Sequence, residues 1–451
     1  MLEKLFKLKE KHTSVKTEII AGVTTFLTMA YILGVNPNML SATGMDFNSV
    51  FLATAISSGI ASILMGLLAN YPVSLAPGMG VNALFTYTVC FQYGYTWQEA
   101  LAVVLLSGVI FFIISVTGLR KMVVNAIPKH LKAAIGAGIG FFIAFIGLKN
   151  AGIVVANAST YVGLGPFTDP TVALCLFGIV VTVVLLIRKV NAAVFYGLII
   201  TAVVGVVLGM LGVSGMPAMP SGVVDSIPAM PTFMAFTEGF STLFSHTDLI
   251  LVLFSFLFVD FFDTAGTLVA IASRIDLIDE KGELINAEQA FVADSVGTCV
   301  GAVLGTSTVT SFVESTSGVA AGGRTGLTAV VTGVLFLLAV FFTPLLSVFN
   351  SVPVMIGETQ YFLSPVTSPA LIIVGVLMVQ QLREIDWTDL ALAAPCFITV
   401  IMMVCASSIS DGIALGFITY GIAQIATGKV KEVHISMWVL ILIFIARFIF
   451  I

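Results

Sequence analysis

Apolar runs recur along the whole of this sequence, broken by short stretches that hold Pro, Gly or charged residues. A run of about 20 such residues crosses about 30 Å of hydrocarbon as a helix. The alternative, a soluble core, needs a charged coat. Only 10% of the 451 residues are charged, 58% are apolar, and the mean hydropathy is +1.10. The membrane is the solvent for this chain.

The runs fall near residues 19–37, 48–69, 79–92, 98–119, 130–148, 171–188 and 192–213. A second set lies near 247–272, 287–304, 312–322, 325–347, 366–382, 387–406 and 411–427, and a last stretch, 435–451, reads as an interfacial helix or a fifteenth crossing. The basic residues test this count, because cytoplasmic loops collect Lys and Arg. Lys4, Lys7, Lys9, Lys11 and Lys16 precede the first span. Arg120, Lys121, Lys129 and Lys132 follow the fourth, Arg188 and Lys189 the sixth, and Arg274 and Lys281 the eighth. Arg324 follows the tenth, Arg383 the twelfth, and Lys429 and Lys431 the fourteenth. Of all 19 basic residues only Lys149 and Arg447 stand apart. Fourteen spans with a cytoplasmic N-terminus are expected, in an inner or plasma membrane. The first 17 residues lack an apolar h-region and are expected to stay in the cytoplasm.

Residues 214–246, with Pro217, Pro220, Pro228 and Pro231, form the only long Pro-rich connection. It divides the chain into 1–213 and 247–451, seven spans each. An odd number per half forces the second into the membrane upside down, the inverted-repeat arrangement of many secondary transporters. The third segment of each half is short and rich in small or polar residues: SLAPGMGVNALFTYT (74–88) and GTSTVTSFVESTSGVAAGG (305–323). Paired interrupted segments point to a binding site near the membrane midplane, where half-helix N-termini and free backbone N–H groups converge. Close helix packing through small residues is the plainer reading, but Pro77, Gly78 and Gly80 suit a continuous helix poorly.

Four carboxylates lie inside apolar spans: Asp260 and Asp263 in LFVDFFDTAGTL, Asp294 in AFVADSVGTCVG, and Glu314 in TSFVESTSG. Each costs about 2.5–3.5 kcal/mol at a helix centre, so that four approach about 10 kcal/mol unless they face a polar cavity. No Lys, Arg or His shares those spans; Arg274 is roughly 16 Å from Asp263 along a helix. Structural roles are the competing readings: Asp294 as a support for the adjacent broken segment, Asp263 as a helix-packing hydrogen bond. Asp411 reads as a helix-start acid. His12, His130, His246 and His434 sit at span edges or in terminal segments, and Cys90, Cys175, Cys299, Cys396 and Cys405 lack metal-type spacing. No metal, cofactor or nucleic-acid partner is expected.

An ionised carboxylate accepts hydrogen bonds through both oxygens. A cis-amide edge flanked by an amino group, as in guanine, offers parallel N–H donors to it; hypoxanthine offers one. Asn82 can donate and accept, and Phe312, Phe261 and Phe85 are available to stack on a flat ring. A carboxyl in low dielectric also holds a proton more readily, which it can carry inward with the solute. These residues describe a cation-coupled importer of a neutral planar amide, and chemistry alone does not single out purines.

ADSVGT…SFVES (293–315) resembles the signature of the nucleobase:cation symporter family, which includes uracil and xanthine permeases. APGMGVNALF (76–85) and VDFFDTAGTL (259–268) are similar to its azaguanine-resistance branch of hypoxanthine, guanine and adenine permeases. The resemblance runs from about Thr17 to Gly428. It implies fourteen helices in two inverted repeats, with short strands in spans 3 and 10. Spans 1–4 and 8–11 would form a core and spans 5–7 and 12–14 a gate. It further implies proton symport of purine nucleobases by an elevator-like movement, with a homodimer possible. Asp260 and Glu314 match the family's substrate-binding acids, Asn82 and Asp263 polar residues of the purine branch, Phe312 the stacking aromatic, and Asp294 an acid important for transport. Asp260 stands where uracil and xanthine permeases have Glu, and Ser315 where Asn commonly follows the tenth-span acid, which weakens any transfer of their specificity.

Two rival readings remain. Related transporters of sulfate or bicarbonate share this architecture, but four acids without a core cation argue against an anion. DFFD at 260–263 superficially resembles the Mg²⁺-binding motif of prenyl-transfer enzymes, yet the chain lacks the second acidic cluster and the basic residues that diphosphate needs. No GxxxxGK[ST] occurs, which argues against ATP-driven transport by this chain.

Overall fold

The structure, a computed structural model, describes residues 2–117, 128–220, 222–224, 229–272, 275, 277, 284–357 and 359–450. Arg120, Lys121, Arg274, Lys281 and Pro228 lie outside these residues, as do the side chains of Lys4 and Arg447. The chain begins with helices α1 (Leu2–Phe6), α2 (Val15–Met29), α3 (Ile32–Ser41) and α4 (Phe47–Leu68). Strand β1 (Leu75–Pro77), α5 (Met79–Ala83) and a π-helix (Leu84–Gln92) follow, then α6 (Trp97–Thr117) and α7 (Lys129–Asn150). Strands β2 (Val154–Asn157) and β3 (Tyr161–Leu164) lead to α8 (Pro170–Ile187) and α9 (Ala193–Met210). Next come α10 (Phe236–Leu243), α11 (Leu249–Ala272), α12 (Ala287–Leu304), β4 (Val309–Ser311) and α13 (Ser315–Ala320). Helix α14 (Gly326–Ala339) runs into a 3-10 helix (Val340–Phe349), followed by β5 (Val352–Ile356) and β6 (Thr359–Leu363). The last helices are α15 (Ser368–Val379), α16 (Leu390–Cys405), α17 (Ile409–Ala426) and α18 (Ile435–Phe450).

Among the described residues nine helical stretches are long and apolar enough to cross a membrane. They are Val15–Ser41, α4, α6, α7, α8, α9, Leu249–Leu268, Gly326–Leu345 and α17. This is a multi-pass membrane protein, mostly helical. The other apolar segments fail that test for local reasons. Helix α12 carries Glu288 and Asp294, α15 and α16 are 12 and 16 residues long, and the β1–α5 and β4–α13 stretches are interrupted by strand.

The sequence reading places strands only within 74–88 and 305–323. The structure adds two antiparallel hairpins, with Val154 opposite Leu164 and Val352 opposite Leu363. β-Branched and aromatic residues favour strands there, and the Asn157 side chain closes the first turn by accepting from the N–H of Ser159 and Thr160 at 2.9 and 3.1 Å. The Pro-rich connection is likewise more ordered than its composition suggests, since α10 forms inside it. Just beyond α10, the His246 ring stacks on Tyr95 with centroids 3.8 Å apart and lies 3.3 Å from Glu99.

Packing rests on small residues and buried caps. Helices α4 and α14 cross at Gly66 and Gly326 so closely that a Cβ on Gly326 would lie 2.0 Å from the Gly66 carbonyl oxygen. At the start of α14, the fully buried Glu18 carboxylate of α2 accepts from the N–H groups of Arg324, Thr325 and Thr328, at 2.9, 3.3 and 3.2 Å. An acid that meets the free donors of a helix start is stabilising. The five cysteines are all free thiols.

Candidate functional site

Strands β1 and β4 pair antiparallel, Leu75 opposite Ser311, Ala76 opposite Thr310 and Pro77 opposite Val309. All six residues are buried. Two further bonds extend the pairing: Gly78 N–H to Thr308 O and Phe312 N–H to Ser74 O, each 3.0 Å. The Ser315 hydroxyl receives the Ser74 N–H at 3.0 Å. Pro77 has no N–H to give, so a two-stranded edge is a position it tolerates. Sequence stretches more than 230 residues apart thus share one short ladder.

Around this ladder lie Asn82, Asp260, Asp263, Asp294, Phe312 and Glu314. Asn82 lies on α5, fully buried, and its Oδ1 accepts from the Ser307 hydroxyl just before β4. Asp260, 2% exposed on α11, accepts from the Thr298 hydroxyl of α12 at 3.0 Å, and Thr298 also reaches Val309 O. Asp294 of α12, fully buried, accepts from the Ser311 hydroxyl at 3.3 Å. Asp263, half-buried one turn beyond Asp260, faces Gly78, whose Cβ if present would lie 3.7 Å from Asp263 Oδ2. Glu314, half-buried at the start of α13, accepts from the Tyr31 hydroxyl at 2.5 Å. Phe312 is 6% exposed beside it in sequence.

The acids form one electrostatic group. The carboxyl groups of Asp263 and Glu314, and those of Asp260, Asp263 and Asp294, are close enough for their charges to repel one another. Among the described residues no Lys or Arg forms an ion pair with any of the four. The side chains that donate to them do so through hydroxyls, which are neutral and bring no positive charge to the acids. Such a cluster suits a solute that brings N–H donors, with protons to balance the charge.

The aromatic candidates separate. Phe261 packs its face on Phe291, with centroids 5.2 Å apart and planes 12° from parallel, so it is engaged in core packing and not free to stack on a solute. Phe85 is fully buried and meets Phe256 edge-on at 6.5 Å. Sequence reasoning missed the hydroxyl and amide partners: Tyr31, Thr298, Ser307, and Asn36, whose amide donates to Thr54 at 2.6 Å and Thr306 at 2.8 Å. The only signal was Asn36-Pro37 within an apolar run. Asp411 is also more than a helix-start acid, for it accepts from Gln92 at 3.1 Å and Tyr93 at 3.2 Å at the end of the π-helix.

The family model of the xanthine/uracil permeases, described as "Permease family", matches residues 16–415. The chain belongs to this permease family. The permease is 48% identical to "Guanine/hypoxanthine permease PbuG" of Bacillus subtilis, with all of both chains covered. It is 44% identical to "Guanine/hypoxanthine permease PbuO" of the same organism (99% of this chain, 100% of the relative). To "Adenine permease AdeP" of Escherichia coli the identity is 40%, over 100% of this chain and 96% of the relative. Among solved structures, the permease is similar in fold to the transmembrane domain of the cyanobacterial bicarbonate transporter BicA, with a TM-score of 0.62 at 14% identity, covering 88% and 96% of the two chains. Murine Slc26a9 in its inward-facing state gives 0.59 at 10% identity over 91% and 68%. At such identities the likeness speaks of fold alone. The family and these relatives are permeases, so the protein is a transporter and not an enzyme, which sets aside the prenyl-transfer reading of DFFD.

Proposed function

We propose that this permease imports purine nucleobases, guanine and hypoxanthine foremost and adenine as a further cargo, by proton symport. Asp260 and Glu314 accept the N–H donors of the base, Asn82 and Asp263 meet its remaining polar edge, and Phe312 stacks on the ring. Glu314, Asp260 and Asp294 carry or support the coupled proton. The observation that carries this reading is the convergence of four carboxylates, without a basic partner among the described residues, on the paired interruptions β1 and β4. The names of relatives that match over essentially the whole chain support a purine cargo.

The same reading assigns fourteen spans to the element order, taking α2–α3 and α14 with its 3-10 continuation as single spans, and β1–α5–π-helix and β4–α13 as the interrupted third and tenth. Residues 1–213 and 247–451 are then inverted repeats joined by 214–246. Spans 1–4 and 8–11 form a core that moves in elevator fashion against a gate of spans 5–7 and 12–14, in the cell membrane with the N-terminus inside and lipid around it. Uptake of radiolabelled hypoxanthine into cells that lack their own purine permeases tests the cargo. Accumulation that a protonophore abolishes supports the proposal. No uptake at micromolar substrate defeats the purine claim, and uptake indifferent to the proton gradient defeats the symport.

A further inference from the structure

The helices of this permease meet in two ways. Some are locked backbone to backbone. Among spans 1–4 and 8–11, a Cβ on Gly326 would lie 2.0 Å from the Gly66 carbonyl oxygen. Among spans 5–7 and 12–14, α7 and α15 are similarly close, and a Cβ on Gly375 would lie 2.5 Å from the Gly140 carbonyl oxygen. Helices this tightly packed have no room to slide past each other.

Where the two sets of spans meet, side-chain tips make the polar contacts. The Asn150 amide donates to the Tyr87 hydroxyl at 3.3 Å, and the Ser364 hydroxyl to Asn38 at 3.0 Å. The Ser410 hydroxyl donates to Ser255 at 2.7 Å, and Asp411 accepts from Gln92 and Tyr93 at 3.1 and 3.2 Å. These contacts share one end of the bundle, the outer end in the proposed orientation. Asn38, Gln92 and Asn150 lie at the ends of the first, third and fifth spans; Ser364 precedes the twelfth, and Asp411 begins the fourteenth. At the opposite end, bonds stay within one set: Tyr71 donates to the Ile285 carbonyl, and His130 Nδ1 meets the Glu384 carbonyl at 3.1 Å.

We propose that Asp411 is the centre of a latch that joins gate to core at the outer face and parts in every transport cycle. Its carboxylate oxygens take one of these donors each, the Gln92 amide on Oδ2 and the Tyr93 hydroxyl on Oδ1. Bonds to a charged acceptor are roughly twice as strong as neutral ones, so Asp411 holds more firmly than the pairs beside it. Yet the donors can let go without disturbing a helix backbone, since Gln92 is exposed and Tyr93 half-buried. The latch and the acid cluster share elements. Gln92 ends the π-helix that continues from α5 and Asn82, and Ser255 stands five residues before Asp260, about 7.5 Å along α11. A core that carries Asn82 and Asp260 past the gate must break these bonds. Here they are made, so Asp411 stabilises the state closed to the outside. The latch rests on the core-and-gate reading and its orientation, and is independent of which solute is carried.

Cysteine pairing tests this, in cells that lack their own purine permeases and a permease whose five native cysteines are replaced by serine. Hydroxyls 2.7 Å apart place thiols from Ser255→Cys and Ser410→Cys within reach of an S–S bond of about 2.05 Å. Oxidation with copper-phenanthroline is expected to join them, read by mass spectrometry, and to cut hypoxanthine uptake more than about tenfold. Dithiothreitol should restore it. A joined pair that transports like the reduced one marks a fixed joint and overturns the latch. So does a pair that the oxidant leaves reduced, because the helices then do not meet there. With Ser255→Cys alone, a membrane-impermeant maleimide added outside reports opening. Asp411→Ala should raise its labelling rate about tenfold, and Gln92→Leu, which removes one donor, about threefold. Unchanged labelling in both variants also overturns the proposal. Labelling needs no cargo, so faster labelling in a permease that takes up no hypoxanthine would strike at the import reading and leave the latch standing.

Discussion

The two interrupted segments share a backbone plan but not a chemistry. In the first, β1 leads through Gly78 into α5 and then a π-helix that continues to Gln92. In the second, β4 leads through Phe312 and Glu314 into α13, which ends after six residues. The first segment contributes an amide, Asn82, whose oxygen is held by Ser307 of the second. The second contributes a carboxylate, Glu314, held by Tyr31 of the first half. Each segment is thus fixed by a hydroxyl from the other half. The charge, however, is one-sided: Asp260, Asp263, Asp294 and Glu314 all belong to the second half. Two paired strand–helix segments with acids from one half only suit a molecule whose two edges differ, which a chemically even site would recognise poorly.

The largest expected effect comes from the charged side. Glu314→Gln and Asp260→Asn keep the shape of each side chain and remove its charge. Each should abolish uptake of hypoxanthine while membrane abundance, read by immunoblot, stays near that of the parent. If both variants transport normally, the acids are not the site. Close behind comes the ladder that holds the segments together. A Cβ at Gly78 would lie 2.4 Å from Thr310 Cγ2 and 2.8 Å from Val81 Cγ2. Gly78→Val should therefore cost about 1–3 kcal/mol of overpacking, visible as earlier thermal aggregation in detergent, along with most of the transport. An unshifted melting profile would show that the strands yield easily and do not position the acids.

How much of this was legible beforehand follows from where each signal resides. The membrane-spanning character and the four acids could be read residue by residue, because charge in an apolar run is conspicuous at any position. The gathering of the acids around 74–88 and 305–323 was legible through Pro77, Gly78 and Gly80, which suit a continuous helix poorly. The hydroxyl partners were not. Tyr31 and Thr298 are ordinary residues in apolar runs and Ser307 is one of many small polar residues in 305–323, and only the pairing of distant segments makes them donors. The same holds for Glu18, whose role is set by the start of α14 some 300 residues later. Among the three rings available to stack, Phe261 takes the commoner use of such an aromatic, core packing, with its face on Phe291.

A moderate effect should separate the hydroxyl from the acid it holds. Tyr31→Phe removes only the donor to Glu314. A hydrogen bond to a charged group contributes about 1.5–3 kcal/mol, so initial uptake rate at low substrate should fall roughly tenfold or more. Because Glu314→Gln abolishes uptake, the coupling is read from hypoxanthine binding to the purified protein, where Tyr31→Phe should weaken binding in the parent but add little in the Glu314→Gln background, since the two residues act as one unit. Independent, additive losses would show that Tyr31 serves packing and not the carboxylate.

The smallest effect is the most informative about the comparison itself. Asp263 is half-buried, one helical turn beyond Asp260, and it faces Gly78 of the first segment. It is therefore the acid of α11 that meets the first segment. Asp263→Asn keeps a polar side chain of the same size but replaces one acceptor oxygen with a donor. Guanine, with an amino group beside its ring N–H, should lose more than hypoxanthine, which offers one donor fewer. The shift in their relative apparent affinities should be about two- to tenfold, the range of one exchanged hydrogen bond of about 0.5–1.5 kcal/mol. Competition of guanine, hypoxanthine and adenine against a single radiolabelled base reads this directly. If all three compete as they do with the parent, Asp263 is a packing residue, and discrimination among cargoes must come from the first segment, where Asn82 is the polar group left to supply it.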